Sequence, residues 1–367
     1  MAAHTTPLYQ LHLQHQAKML PFAGWLMPIH YGSQLEEHLQ VRMNAGMFDV
    51  SHMGIIDLEG KDARAFLRYL LANDVAKLEA KGIGKALYSV MLNESAGIID
   101  DLIVYLMPGG YRLVVNASTR DRDLASINQH AQNFQVQVIP RHELAIIAVQ
   151  GPKALASVSK VKPEWAPQLA SLAPFQAFVV SDGLIARTGY TGEDGVEIMC
   201  LAHEATLLWQ ALNAQGVKPC GLGARDTLRI EAGFNLYGQD MDETTHPYEC
   251  GLASAIDLKD PKRYFCGKNA LLNKIDQGLA YRQAGLILED KGILRAGLKL
   301  INHEGLSGVV TSGSYSPSLK LSIGIARVPM QSQSEVQVEL RGELKRARMV
   351  KLPFIKHGAS VFTTLNP

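Results

Sequence analysis

A chain of 367 residues is too long for one ordinary hydrophobic core and suits two or three domains. With 47% hydrophobic and 19% charged residues the composition is globular, which argues against disorder, fibrous repeats and coiled coils. Lys plus Arg (36) nearly balances Asp plus Glu (35), so an extended nucleic-acid duplex, whose binding draws on phosphate neutralisation, is not the expected partner.

The N-terminal stretch MAAHTTPLYQLHLQHQAKMLPFAGW shows neither the basic, apolar and small-residue order of a secretory signal nor an Arg- and Ser-rich transit segment. No uncharged apolar run reaches the roughly 20 residues of a membrane span, so no membrane partner and a cytoplasmic location are expected. Residues 34 to 48 place Leu35, His38, Leu39 and Arg42 at helical spacing, with Gly46 as the expected stop. Residues 54 to 60 read as a short strand, and Asp62 as the N-cap of a helix with Phe66, Leu67, Leu70 and Leu71 on its apolar stripe. From Lys85 the runs ALYSVML, IIDDLIVYLM and YRLVVNA are separated by turn residues and predict a three-strand antiparallel meander. A helix over Asp121 to His130 and the strand FQVQVI follow.

A second unit begins near ELAIIAVQG, contains the glycine-rich ARTGYTGEDGVEIMC, and includes the helix HEATLLWQALNAQG with Gly216 as its C-cap. Helices mixed with antiparallel strands, without regular βαβ units, predict an α+β fold. Residues 260 to 281 read as a linker. Beyond about 282, short strand-like runs between Gly, Ser and Pro predict a β-barrel or jelly-roll-like domain. The four cysteines lie far apart without a Cys-x-x-Cys pair, so inert thiols are expected and neither a metal site nor a disulfide framework is indicated.

Three features could carry chemistry. Asp100 and Asp101 interrupt an apolar strand, and adjacent side chains point to opposite faces unless a bulge intervenes. The pair reads either as a strand end facing water or as a carboxylate at a cleft, because a buried unpaired charge is costly. Within RTGYTGEDGVE, Gly189, Gly192 and Gly195 permit a tight chain path and a close backbone approach to a ligand, while Glu197 would be costly on a core-facing side. A decorated hairpin is the plainer reading. Arg225 and Arg229, four apart on one helical face, suit either a planar or anionic ligand or an internal ion-pair network. Asp49, Ser51 and His52 lie close in sequence, but no G-x-S-x-G accompanies them and a hydrolase is not expected. Trp25, Tyr31 and Tyr88 read equally as pocket lining and as core.

These features occur together in FAGWLMPIHY, AGMFDVSHMG, LLANDV, GKALYSVMLNESAGIIDDLIVY, AVQGPKA, RTGYTGEDGVEI, PCGLGARDTLRIEAGFNLYGQDMDE and VVTSGSYSPSL. On these stretches the chain resembles the tetrahydrofolate-dependent aminomethyltransferases, the T-proteins of the glycine cleavage system, along nearly its whole length. RTGYTGEDG lacks the cysteine of the related iron-sulfur-assembly branch. Pro21, Ala253-Ser254, Lys320-Leu321 and Lys356-His357 depart from the usual family pattern.

The resemblance implies three domains around a central folate channel: residues 1–50 with 144–240, residues 51–143 with 241–281, and residues 282–367. It implies transfer of the methylene carbon from an aminomethyl-lipoyl group on the partner H-protein to tetrahydrofolate, releasing ammonia and giving methylene-tetrahydrofolate in glycine catabolism. Tetrahydrofolate is then a co-substrate, and no metal is used. By motif, Asp101 is the catalytic carboxylate. Tyr88, Tyr190, Glu197 and Arg229 are folate contacts, with Arg229 either holding the p-aminobenzoyl-glutamate side or buttressing acidic residues. Asp100, Asn116, Tyr237 and Arg225 are lesser candidates, at the ligand or behind it. The competing expectations are a folate-dependent demethylating relative that works with a flavoprotein and a folate-binding regulator without transfer activity.

Overall fold

The computed structural model describes residues 3–181 and 183–364; the outer ends of the expected first and third domains, residues 1–2 and 365–367, lie outside them. Among the described residues the chain forms a six-stranded sheet, a five-stranded sheet and a closed six-stranded barrel. The expected meander is present: Ala86–Leu92, Ile98–Met107 and Gly110–Val115 pair antiparallel in that order, and Gly54–Glu59 and Gln137–Pro140 extend the sheet. The six-stranded sheet takes its strands from Gly46–Asp49 and from segments between Leu144 and Pro219, with Lys218–Pro219 running parallel to Gly46–Asp49.

The two sheets pack face to face. Phe48, Ile146, Leu184 and Met199 of one meet Ile55, Tyr105 and Val114 of the other. Helices cover the outer faces, with Trp209 and Leu212 against the first sheet and Phe66, Leu67 and Ile127 against the second. A strand with layers on both sides has no wet face, which is why Leu144–Gln150 is buried at every position instead of alternating. Each fully buried Leu, Val or Phe on these faces contributes about 1.5–3 kcal/mol of transfer free energy.

The third expectation resolves as a barrel: Tyr281–Leu288 pairs with Leu321–Pro329 on one side and Glu343–Val350 on the other, closing the ring. Its Glu335–Leu340 strand does alternate, because only one face points into the interior. Residues 260 to 281 are not a plain linker. They contain the helix Lys268–Gln277, whose Leu271 is buried with Phe265 against Leu92 and Ile98 of the five-stranded sheet.

Two local expectations change. The helix expected from residue 34 runs Gln34–Met43 with Asn44 at its end, and Gly46 instead opens a strand. Leu35 on that helix is 49% exposed, while Glu37, His38 and Arg42 are buried; polar partners, not apolar contacts, hold much of its inner face. Asp62 does sit at the start of Ala63–Leu70, yet its carboxylate accepts from the Gln135 backbone N–H (2.8 Å) and makes no cap bond.

The helix Leu222–Glu231 joins the three units. Ala224 and Leu228 belong to the core between the sheets, and Ile230 packs with Ile287 and Ile323 of the barrel. Beside it Glu231, wholly buried, accepts from Arg42 (2.8 Å), from the Ser318 hydroxyl (2.8 Å) and from the Ser318 backbone N–H (3.1 Å). The His38 ring nitrogen 3.2 Å away, the Arg42 guanidinium and the Ser316 hydroxyl hold its carboxyl down at about 2 despite the opposing effect of burial.

Candidate active site

The strand Ile98–Met107 carries the two neighbouring carboxylates, and its burial alternates regularly from Ile98 to Ile103 despite a register shift opposite Met91/Leu92. Asp100 is wholly buried, whereas Asp101 keeps part of its surface open. The two still meet one partner. The Asn116 carboxamide N–H donates to Asp100 Oδ1 (2.9 Å) and to Asp101 Oδ1 (2.8 Å), and the Asn116 backbone N–H donates to Asp100 Oδ2 (3.1 Å). On its other side Asp101 Oδ2 accepts from the Tyr88 hydroxyl at 2.8 Å. Burial, with the Asp100 charge adding to it, pushes the Asp101 carboxyl up to about 7; Tyr88 and Asn116 pull the other way but do not prevail. Desolvation and the neighbouring Asp101 carboxylate push the half-buried Tyr88 hydroxyl well above the ordinary phenol range.

Across from this pair, the Arg225 guanidinium lies 4.3 Å from the centre of the Tyr190 ring. Tyr190 stacks in turn on Phe234 (5.7 Å, 14° between planes), and its hydroxyl donates to the Asn235 carbonyl. Glu197 accepts from the Thr188 hydroxyl at 2.5 Å and stays partly open. Tyr237 donates to the Ile98 carbonyl (2.9 Å) and accepts from Arg122 (2.8 Å), which leaves its ring at the edge of a cleft of about 420 Å3. Phe22, His52, Asn116, Arg122, Arg225 and Tyr237 line that cleft.

Arg229 is placed differently from Arg225. It is wholly buried, and its guanidinium donates to Asp240 (2.6 Å), Asp226 (2.9 Å), the Phe234 carbonyl (3.1 Å) and Ser312 Oγ (2.8 Å). Four of its five N–H groups are taken within the protein, so of its two expected roles buttressing acidic residues is the one this geometry serves. Asp100, also wholly buried, lies behind the site instead of at its surface.

The glycine-rich segment is tight for a reason internal to the protein. A Cβ on Gly189 would lie 1.9 Å from Gln150 Oε1, and one on Gly195 would lie 2.3 Å from the Val149 carbonyl. At these two glycines the close approach is to the Leu144–Gln150 strand. Asp49 likewise serves the fold: it takes the buried His12 ring N–H (2.8 Å), the Thr6 hydroxyl (2.5 Å) and the Ser51 N–H (2.9 Å), and makes no triad with His52. Tyr31 joins that group through His12 (2.8 Å) and packs on the core of the six-stranded sheet.

Sequence reasoning passed over Asp123, which is buried, and weighed the buried His52 only as part of a hydrolase. Asp123 sits in the first turn of Arg120–Ala131, where an acidic residue is ordinary, so the pattern held no signal for it. All four cysteines are free, and Cys200, Cys220 and Cys250 are buried. Burial pushes the Cys200 thiol up to about 12, which keeps it protonated and unreactive. No group of three or more metal-ligating side chains occurs among the described residues.

Asp101 with Tyr88 and Asn116 forms one hydrogen-bonded group, and Tyr190 with Arg225 and Phe234 forms one stacked group. The GCVT N-terminal domain family matches residues 8–260, and the glycine cleavage T-protein C-terminal barrel domain family matches residues 282–356. The chain belongs to the glycine cleavage T-protein family. Aminomethyltransferase of Chromobacterium violaceum is 52% identical over 361 residues, covering 98% of this chain and 99% of that protein. The Neisseria meningitidis aminomethyltransferase is also 52% identical, over 363 residues and 98% of each chain. The crystal structure of glycine cleavage system aminomethyltransferase T from Bartonella henselae superposes with a TM-score of 0.89 at 38% identity, covering 96% of this chain and 98% of that one. The T-protein fold is thus present from the N-terminal sheets to the barrel.

Proposed function

We propose that this T-protein takes the methylene carbon from an aminomethyl-lipoyl group carried by H-protein and passes it to tetrahydrofolate, releasing ammonia, with Asp101 at the reacting centre. The carrying observation is the Asp101 carboxylate itself, partly open yet held by Tyr88 and Asn116 in a strand that is apolar but for Asp100 and Tyr105. As the amine departs, positive charge develops on the methylene carbon. A fixed carboxylate in low-dielectric surroundings stabilises that charge more than it stabilises the neutral starting state.

The remaining side chains suit a reduced pterin. A partly open carboxylate such as Glu197 can accept from parallel N–H groups, and Thr188 holds it in place. Tyr190, with Arg225 over its ring and Phe234 stacked on it, contributes an aromatic wall that holds the Arg225 guanidinium in place. Arg225 has no hydrogen-bond acceptor among the described residues, so its donors remain free for a carbonyl or carboxylate of the substrate. The role of Asn116 is to orient Asp101 and that of Tyr88 is to fix its second oxygen.

Ammonia release from aminomethyl-loaded H-protein, measured with and without tetrahydrofolate, tests this reading. Strong acceleration by tetrahydrofolate is expected. Folate binding without any ammonia release would instead support a regulator.

A further inference from the structure

Behind Asp101 lies a second carboxyl pair that the reaction as described does not use. Asp100 and Asp123 are both 0% exposed, one on the Ile98–Met107 strand and the other on the Arg120–Ala131 helix. Their carboxyls meet within hydrogen-bonding reach. Both oxygens of Asp123 lack an N–H or O–H donor among the described residues. The adjacent Thr119 hydroxyl donates to the Asn116 carbonyl (3.1 Å). Both oxygens of Asp100 are taken by Asn116.

Two ionised carboxylates in contact, buried and with one of them lacking any donor, would repel each other and leave polar atoms unsatisfied, a cost of several kcal/mol. A single proton between them removes both penalties, as in other carboxyl dyads. The surrounding charged groups supply no alternative. Arg122 is committed to Glu243, Tyr237 and the Ile99 carbonyl, and the Tyr237 hydroxyl donates to Ile98. Asp101 adds a further negative charge from the same strand.

We propose that Asp100 and Asp123 share one proton, and that Asp123 is a positioning residue which holds Asp101 in place through Asp100 and Asn116. The chain of contact is continuous. The shared proton fixes the Asp100 carboxyl, Asp100 fixes the Asn116 carboxamide, and the same carboxamide nitrogen donates to Asp101. Burial raises both partners above the usual carboxylate range; the facing Asp123 adds to the rise at Asp100, and Asp123 reaches about 6 although its contact with Asp100 pulls it down, the pattern of a proton kept on the Asp100 side of the pair. This inference rests on the proposed role of Asp101 for its catalytic consequence, but not for the proton itself.

Two measurements test it separately. Infrared spectroscopy on Asp101→Asn protein at pH 8 should show a protonated-carboxyl C=O absorption that disappears when Asp123→Asn is added. If adding Asp123→Asn removes no such absorption, the shared proton is disproved, whatever Asp101 does. Kinetics on otherwise native protein then test positioning. Asp123→Asn replaces the acid O–H with an amide N–H donor to Asp100, and kcat should stay within about threefold of the parent. Asp123→Leu keeps the bulk but loses the donor. It should lower kcat roughly ten- to hundredfold through misplacement, with tetrahydrofolate KM changed less than about threefold. Equal losses in the two variants, a loss confined to KM, or an unimpaired Leu variant would each overturn the positioning role. If the Leu variant fails to fold, the infrared difference and the Asn variant still decide the matter. An active Asp101→Asn enzyme would instead refute the proposed centre and leave the shared proton standing.

Discussion

Arg225 and Arg229 occupy one face of the same helix, yet the first lies over the Tyr190 ring at 4.3 Å with its donors free while the second is closed onto Asp240 at 2.6 Å. One turn of helix separates a cation offered to the cleft from one consumed by the protein. The barrel makes the difference. Ser312 and Thr311 come from it, and both bind the arginine–aspartate group, Thr311 donating to Asp240 at 2.5 Å.

Replacing these two arginines should therefore have opposite signatures. Arg229→Ala leaves Asp240 buried and unpaired and should cost about 3–5 kcal/mol, seen as a lowered Tm or denaturation midpoint. Arg225→Ala should leave the Tm nearly unchanged and raise tetrahydrofolate KM roughly tenfold, the loss of a charged hydrogen-bond donor to the substrate.

Asp101→Asn preserves shape and removes the charge. Ammonia release in the presence of tetrahydrofolate should fall on the order of a hundred- to a thousandfold in kcat, as for loss of other preorganised electrostatic groups. Turnover near the native rate would remove Asp101 from the reacting centre.

The charged form of Asp101 is the active one in this scheme, and its carboxyl is pushed up to about 7. The kcat/KM profile of the free enzyme should accordingly rise with pH through an acid limb near 7 and level off above it. A profile flat from pH 6 to 8 would contradict this.

The same shift has a stability consequence. A carboxyl whose folded value lies above its ordinary value of 3.8 retains a proton that the unfolded chain has already lost. Native stability therefore declines as pH rises from about 4 towards 7, and the full cost is present above that. Asp101→Asn lacks this cost. Its advantage in denaturation midpoint over the native protein should be small near pH 4, grow up to about pH 7 and then stay constant.

Hydrophobic periodicity and turn chemistry made the meander at residues 86 to 115 and the all-β texture beyond residue 282 legible from the sequence alone, because those patterns record which face of a strand meets water. Asp101 stood out for a related reason: a carboxylate in an apolar strand is costly enough to need an explanation. Local pattern could not say that Leu35 faces solvent while His38 and Arg42 turn inward, since their partners Thr227, Ser318 and Glu231 lie nearly two hundred residues or more along the chain. Nor could it separate Arg225 from Arg229, equivalent by helical spacing, or link Asp123 to Asp100. Periodicity reports the average polarity around one element. The partner of a buried charge is set by which elements pack together, and only the closure of the sheets and barrel around the Leu222–Glu231 helix decided that.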